Sequence, residues 1–161
     1  MSGDTMSAET MLSYYADRQV AEQWRPFLAA LAGELFENLR EDEARGFLRQ
    51  VGSRVADLTP LEPVDTLEAF EARANKVLAQ MDWGVAAFAA REDRIGIVHQ
   101  AYPHRLREGQ APNWPTAFSA VLEGLYTGWL RAQGAGLVLS ARSTGLPEPG
   151  RVDLCFSAAA T

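Results

Sequence analysis

Two histidines, one cysteine and a scatter of acids are the groups from which acid–base, nucleophilic or metal chemistry would have to be built. His99 and His104 are five positions apart with Pro103 between them, so neither strand nor helix geometry makes them a ligand pair. His99 stands in an apolar, β-branched run, where a packed, hydrogen-bonded imidazole is expected ahead of a catalytic base. Cys155 is the single cysteine. It allows no internal disulfide and no cysteine-based zinc site, and in a strand it reads as a small hydrophobe. Acids such as Glu123 have the chemistry of a general acid or base, but no spacing singles out a pair. The chain lacks G-x-S-x-G, a P-loop, a dinucleotide fingerprint and H-E-x-x-H.

The aromatic and glycine positions say more. Tyr14 and Tyr15 lie outside any clear apolar stripe. Neighbouring side chains on a helix diverge by about 100°, so at least one is expected to face outward. An exposed tyrosine offers a sugar ring a flat apolar face and a hydroxyl, and Arg18 is one turn away. The alternative is that the tyrosines anchor a helix start on the domain. Gly124 and Gly128 are also one turn apart, inside a helical pattern, where two glycines cost about 2 kcal/mol relative to alanine. Close approach of another backbone explains that cost. It is either a second copy's, making these an oligomer contact, or the protein's own sheet.

The elements that must position these residues follow from periodicity. Residues 1–13 are small and polar and read as a mobile arm, with 14–161 as one domain. Tyr14 to Gln23 suits a short helix. Pro26 suits the first turn of a longer one, with Val20, Trp24, Phe27, Leu28, Leu31, Leu35 and Leu39 at helical spacing. Asp42 to Asp57 forms the next, with Phe47, Leu48, Val51, Val55 and Leu58 on its apolar face. After the Thr59–Pro63 loop, Asp65 and Glu68 make a capping-box pattern before a stripe of Leu67, Phe70, Ala74, Val77, Leu78 and Met81. The period then changes. Trp83–Ala90 and Arg94–Tyr102 read as a hairpin around Arg91-Glu92-Asp93. Pro103–Pro112 is a loop, and Asn113 is placed to cap a helix from Trp114 to Ala132. Leu137–Ser143 and Val152–Ala158 read as a second hairpin. The expected class is α+β: helices packed on one face of a small antiparallel sheet of two hairpins, in a single domain.

The whole has 161 residues, 47% of them hydrophobic and 22% charged, which is globular composition. No apolar run approaches the roughly 18 residues of a membrane helix, so direct membrane insertion is not expected. The start, MSGDTMSAET, has no basic or apolar segment, so no secretory signal is expected. The net charge of −6 is uneven. Residues 1–43 carry nine acids and three bases, and the remainder is balanced at twelve of each. Without a basic cluster in the sequence, nucleic acid is not an expected partner.

Five segments in order carry a resemblance. They are Phe47-Leu48-Arg49-Gln50-Val51-Gly52, Met81-Asp82-Trp83-Gly84, Ile97-Val98-His99, Val121-Leu122-Glu123-Gly124-Leu125-Tyr126, and Trp129. Their order and spacing resemble the bacterial cellulose synthase operon protein D family, as does the Ser-Ala-Ala-Ala-Thr ending. The resemblance covers about residues 45–135 and, more loosely, the C-terminal strands. The first 44 residues and the Pro103–Asn113 loop depart from it. V-L-E-G-L-Y-x-x-W is its most specific motif, so Trp83, Gly84, His99, Glu123, Gly124, Tyr126 and Trp129 are the family-motif residues.

The resemblance implies an accessory subunit that is not an enzyme and needs no cofactor. It implies a cylindrical homo-octamer, a tetramer of dimers, working with other cellulose synthase complex subunits. Such a cylinder has passages, lined by N-terminal segments, that guide nascent β-1,4-glucan for export and crystalline packing. Tyr14, Tyr15 and Arg18 are the glucan-contacting candidates by position and chemistry. The expected location is the cytoplasm near the inner membrane, with the periplasm as alternative. Two other readings stay open. One is a small-molecule-binding or sensing α+β domain with a deep apolar cavity near His99 and Trp83. The other is an enzyme using Glu123 or His99.

Overall fold

A computed structural model describes residues 7–106 and 111–159. The expected α+β class is what it contains. In chain order the elements are α1 (Ala8–Ala16), a 3-10 turn (Glu22–Trp24), α2 (Arg25–Asn38), α3 (Glu41–Leu58), α4 (Leu67–Met81), β1 (Val85–Ala90), β2 (Ile95–Gln100), α5 (Trp114–Ala132), β3 (Leu139–Ser143) and β4 (Arg151–Ala158). The sheet is antiparallel with order β1-β2-β4-β3. Two hairpins therefore lie side by side, joined where His99 faces Val152 and Ile97 faces Leu154.

Helix α5 is the axis of the fold. It is buried on every side from Ala117 to Tyr126, and again at Trp129 and Leu130. A helix apolar all round has to be enclosed, and here α3 covers one side and the sheet the other. Inward residues of β3 and β4, among them Ala141, Val152, Leu154 and Phe156, face it and His99 of β2 reaches its Tyr126, while α4 covers β1. The outer sheet face keeps small or charged residues such as Ala87, Ala89, Arg142 and Asp153.

The side chains of the helices hold both sheet edges. Asn75 of α4 holds both backbone groups of Ala86, accepting from its N–H and donating to its carbonyl, each at 2.8 Å. Glu71 accepts the Phe88 N–H at 2.8 Å. On the far edge, Thr127 accepts the Ala141 N–H and Glu123 accepts the Ser143 N–H, both at 2.8 Å. These bonds occupy much of both edges and blunt them against the addition of another strand.

Local chemistry moves several expected boundaries. The first helix begins at Ala8, within the expected arm, because Ser7 Oγ accepts the Thr10 N–H. It ends at Ala16, short of the expected Gln23. Residues 1–6 lie outside the described part. Thr66, not Asp65, caps α4, its hydroxyl accepting the Ala69 N–H at 3.1 Å. Asn113 precedes α5 without a side-chain cap bond. Trp83 and Gly84 form the turn before β1. Asp82 there adopts φ 56° and Gly84 φ 95°, and a Cβ at Gly84 would sit 2.1 Å from the Gln100 carbonyl oxygen.

Candidate functional site

The family-motif residues converge on α5. At Gly124 a Cβ would lie 1.9 Å from the Arg49 carbonyl oxygen, and at Gly128 one would lie 2.6 Å from the Ala56 Cβ. Gly52 of α3 is in the same situation, 1.9 Å from the Val121 carbonyl oxygen. The close approach at these glycines comes from α3 of the same chain. It is made neither by the sheet nor by an outside backbone, so their helix-propensity cost is explained within one chain.

Glu123 is 1% exposed and fully engaged. Arg45 donates to Oε1 at 2.8 Å and Arg49 to Oε2 at 2.6 Å. The Ser143 N–H and hydroxyl both donate to Oε1 at 2.8 Å. Burial pushes the carboxyl pKa up, but the Ser143 and Arg49 hydrogen bonds and the Arg45 charge outweigh it and hold it below the usual carboxylate value. Glu123 thus joins α5, α3 and β3. With its acceptor positions filled, it is a poor general base.

His99 is completely buried. Its Nε2 lies 2.7 Å from the Trp83 carbonyl and its Nδ1 bonds the Tyr126 hydroxyl. A carbonyl only accepts, so Nε2 carries the proton and Tyr126 donates to Nδ1. Burial drives the His99 pKa down to about 4 against the opposing pull of the Trp83 carbonyl. Burial likewise raises Tyr126. The imidazole is neutral at pH 7 and walled off from solvent, as expected of a packed histidine. Trp83 rests edge-on against Phe118, with centroids 4.9 Å apart. Trp129 donates its Nε1–H to the Thr59 carbonyl at 2.8 Å, which ties α5 to the end of α3. The motif is a packing and hydrogen-bonding frame.

Among the described residues, neither the hollow beside the start of α4 nor the one at the β3–β4 turn reaches His99 or Trp83. The latter is lined by Thr144, Gly145, Leu146, Glu148, Arg151 and Asp153. It holds about 190 Å³, below the roughly 300 Å³ where small-molecule pockets begin. Among the described residues no cluster of His, Cys, Asp and Glu could hold a metal. No described helix is long and apolar enough to cross a membrane.

The exposed aromatic side chains lie on the first three helices and the turn before α2, while Leu137, Val138 and Leu146 are exposed around β3. Tyr14 and Tyr15 are 49% and 58% exposed, with rings edge-to-face at 5.6 Å. Arg18 lays its guanidinium over the Tyr14 ring, 4.5 Å from the centroid. Polar ties dock the segment behind them. Gln19 donates to the carbonyls of Asp82 and Ala101, and Arg105 donates to the Ser13 hydroxyl and to Asp17. Residues expected in the core join this surface. Trp24 and Phe27, in edge contact at 6.2 Å, are more than half exposed, and Leu31 and Leu39 are also exposed. On α3 the inward row is Ala44, Leu48, Gly52 and Ala56, leaving Phe47, Val51 and Leu58 outside. The expected α3 face therefore turns: Leu48 stays inside, but Phe47, Val51 and Leu58 give way to Ala44, Gly52 and Ala56, because α3 and α5 approach too closely there for large side chains.

The family model for the cellulose synthase D-subunit matches residues 10–154, so the match begins well upstream of the motifs. Proteins named cellulose synthase operon protein D, from Komagataeibacter xylinus and Komagataeibacter sucrofermentans, are each 30% identical over 110 residues, covering 66% of this chain and 69% of the relative. A further Komagataeibacter xylinus protein of that name is 27% identical over 109 residues. With a match across nearly its whole length, the chain belongs to the cellulose synthase operon protein D family.

Proposed function

We propose that the protein is a non-catalytic subunit of a bacterial cellulose synthase complex, and that it assembles with copies of itself to guide nascent β-1,4-glucan. Family membership supports the role in cellulose synthesis. The observation that carries the assembly is the exposed apolar surface of α2 and α3, with Trp24 just ahead of them: Trp24, Phe27, Leu31, Phe47 and Val51. Large apolar side chains exposed on successive helices are the kind of surface that marks an interaction site. The blunted sheet edges leave helical faces as the route of association. A closed ring of copies, an octamer built as a tetramer of dimers, is the form the family resemblance implies.

In this reading the α1 surface meets glucan. Tyr14 and Tyr15 supply flat aromatic faces and Arg18 supplies hydrogen-bond donors. A sliding chain needs many weak contacts in preference to one deep pocket, which fits a surface of exposed rings. The compartment proposed is the cytoplasm beside the inner membrane, to be checked by cell fractionation. The test of guidance is the double change Tyr14→Ala, Tyr15→Ala in a cellulose-producing cell. Lower cellulose yield or disordered fibrils, with unchanged protein level and oligomer mass, is the expected result. Normal yield and fibril order would remove the tyrosines from that role.

A further inference from the structure

Helix α1 is held to the rest of the molecule at its C-terminal end only. It packs against no other described helix or strand. Residues 7–12 are all exposed, and Ala16 is its one buried side chain. Its large apolar side chains, Met11, Leu12, Tyr14 and Tyr15, all stay open to solvent. A helix of nine residues does not persist in water by itself. The polar ties behind it therefore decide where it sits.

Those ties divide into a base and a latch. At the base, Gln19 donates to the carbonyls of Asp82 and Ala101, at the two ends of the β1–β2 hairpin. Both residues have φ 56°, and among the described residues they are the non-glycine positions with positive φ. Such backbone stays in place only where its surroundings fix it, and Gln19 bridges the two corners. Arg25 adds bonds to the Asp17 and Val20 carbonyls. The helix itself is held by Arg105. Its Nη1 donates to the Ser13 hydroxyl at 2.9 Å and to Asp17 Oδ1 at 3.3 Å. Ser13 and Asp17 are one turn apart, so one guanidinium grips one face of the C-terminal turn. The Arg105 and Asp17 side chains are about half open to solvent.

We propose that α1 is a hinged arm, with Gln19 at its pivot and Arg105 as the latch that sets the position of Tyr14 and Tyr15. The role of that position in guiding glucan rests on the reading given above, while the latch itself does not. Arg105 is a positioning residue, acting on the tyrosines through Ser13 and Asp17. An exposed ion pair is weak, so the docked and loosened arms lie close in free energy. Contact with a passing chain needs little differential affinity to shift the arm between them.

Amide hydrogen exchange of the full chain, followed by mass spectrometry, reads the latch over residues 11–19. Arg105→Ala should speed exchange there about fivefold, the most an exposed ion pair supplies, with α5 protected as before. Added salt should loosen the arm of the unaltered protein and leave that of the Arg105→Ala protein as it was, because only the former has a pair to screen. Arg105→Lys should recover part of the protection. In a cellulose-producing cell, Arg105→Ala should disorder the fibrils as the paired tyrosine change does. Unchanged exchange over residues 11–19 in a folded Arg105→Ala protein would overturn the latch, whatever the fibrils show. A loosened arm with normal cellulose would keep the latch and remove α1 from glucan guidance.

Discussion

His99 and Glu123 have side chains able to do acid–base chemistry, yet their surroundings make them structural. Their burial has a pH consequence. The His99 pKa falls from an unfolded value near 6.5 to about 4. Between those values the unfolded chain binds the extra proton, so stability is full above pH 6.5 and drains away as pH drops toward 4. By the usual conversion the loss is roughly 3 kcal/mol. Glu123, held below its ordinary value, adds a loss at lower pH as its carboxylate is protonated in the folded state. Urea midpoints measured from pH 7 down to pH 4 should fall steadily, and a flat profile would contradict the buried neutral imidazole. Glu123→Gln leaves Arg45 and Arg49 facing a neutral amide and should cost about 3–5 kcal/mol, as broken buried pairs do. The sequence placed His99 correctly because the β-branched run Ile95, Ile97 and Val98 leading into it implies burial. It did not reveal the Glu123 cluster, because Arg45 and Ser143 reach it from 78 and 20 residues away.

At the scale of elements, the α3–α5 contact governs the fold. Its closest points are at Gly52, Gly124 and Gly128, so a single methyl group is enough to disturb it. Gly124→Ala would drive a Cβ into the Arg49 backbone and should destabilise by several kcal/mol, since overpacking against main chain has no cheap relief. Gly33 of α2 has nothing within 4 Å of its would-be Cβ. Gly33→Ala should therefore stabilise by about 0.5–1 kcal/mol through helix propensity. Thermal unfolding of the two variants separates the cases, and similar shifts would refute this packing. Legibility at this scale was uneven. The strands, hairpins and the long fifth helix follow from periodicity and turn residues. The inward faces of α2 and α3 follow only in part: Leu28, Leu35, Leu48 and Val55 of the expected stripes pack on the core, while Phe27, Leu31, Phe47 and Val51 face out, and on α3 a hydrophobicity count favours Phe47 over the Ala44, Gly52 and Ala56 that fit the contact. The surface those residues leave exposed is visible only once the small-residue row is seen to be inside.

For the whole molecule, surfaces decide function. Helix side chains hold several outward groups of both sheet edges, most motif residues are locked into the interior, and α2 and α3 both carry open apolar side chains, as do α1 and the segments around β3. A charge placed on α2 and α3 should disfavour self-association without touching the core. Phe27→Glu combined with Phe47→Glu is expected to lower the native mass while leaving the circular dichroism spectrum intact. The measurement that tests the central claim most directly is the native mass of the unaltered protein, by light scattering after size exclusion. The account predicts a closed assembly of 17.6 kDa chains, eight for the form the family implies, dissociated by the paired glutamates. A monomer at working concentrations, with the same mass in the double variant, would contradict it.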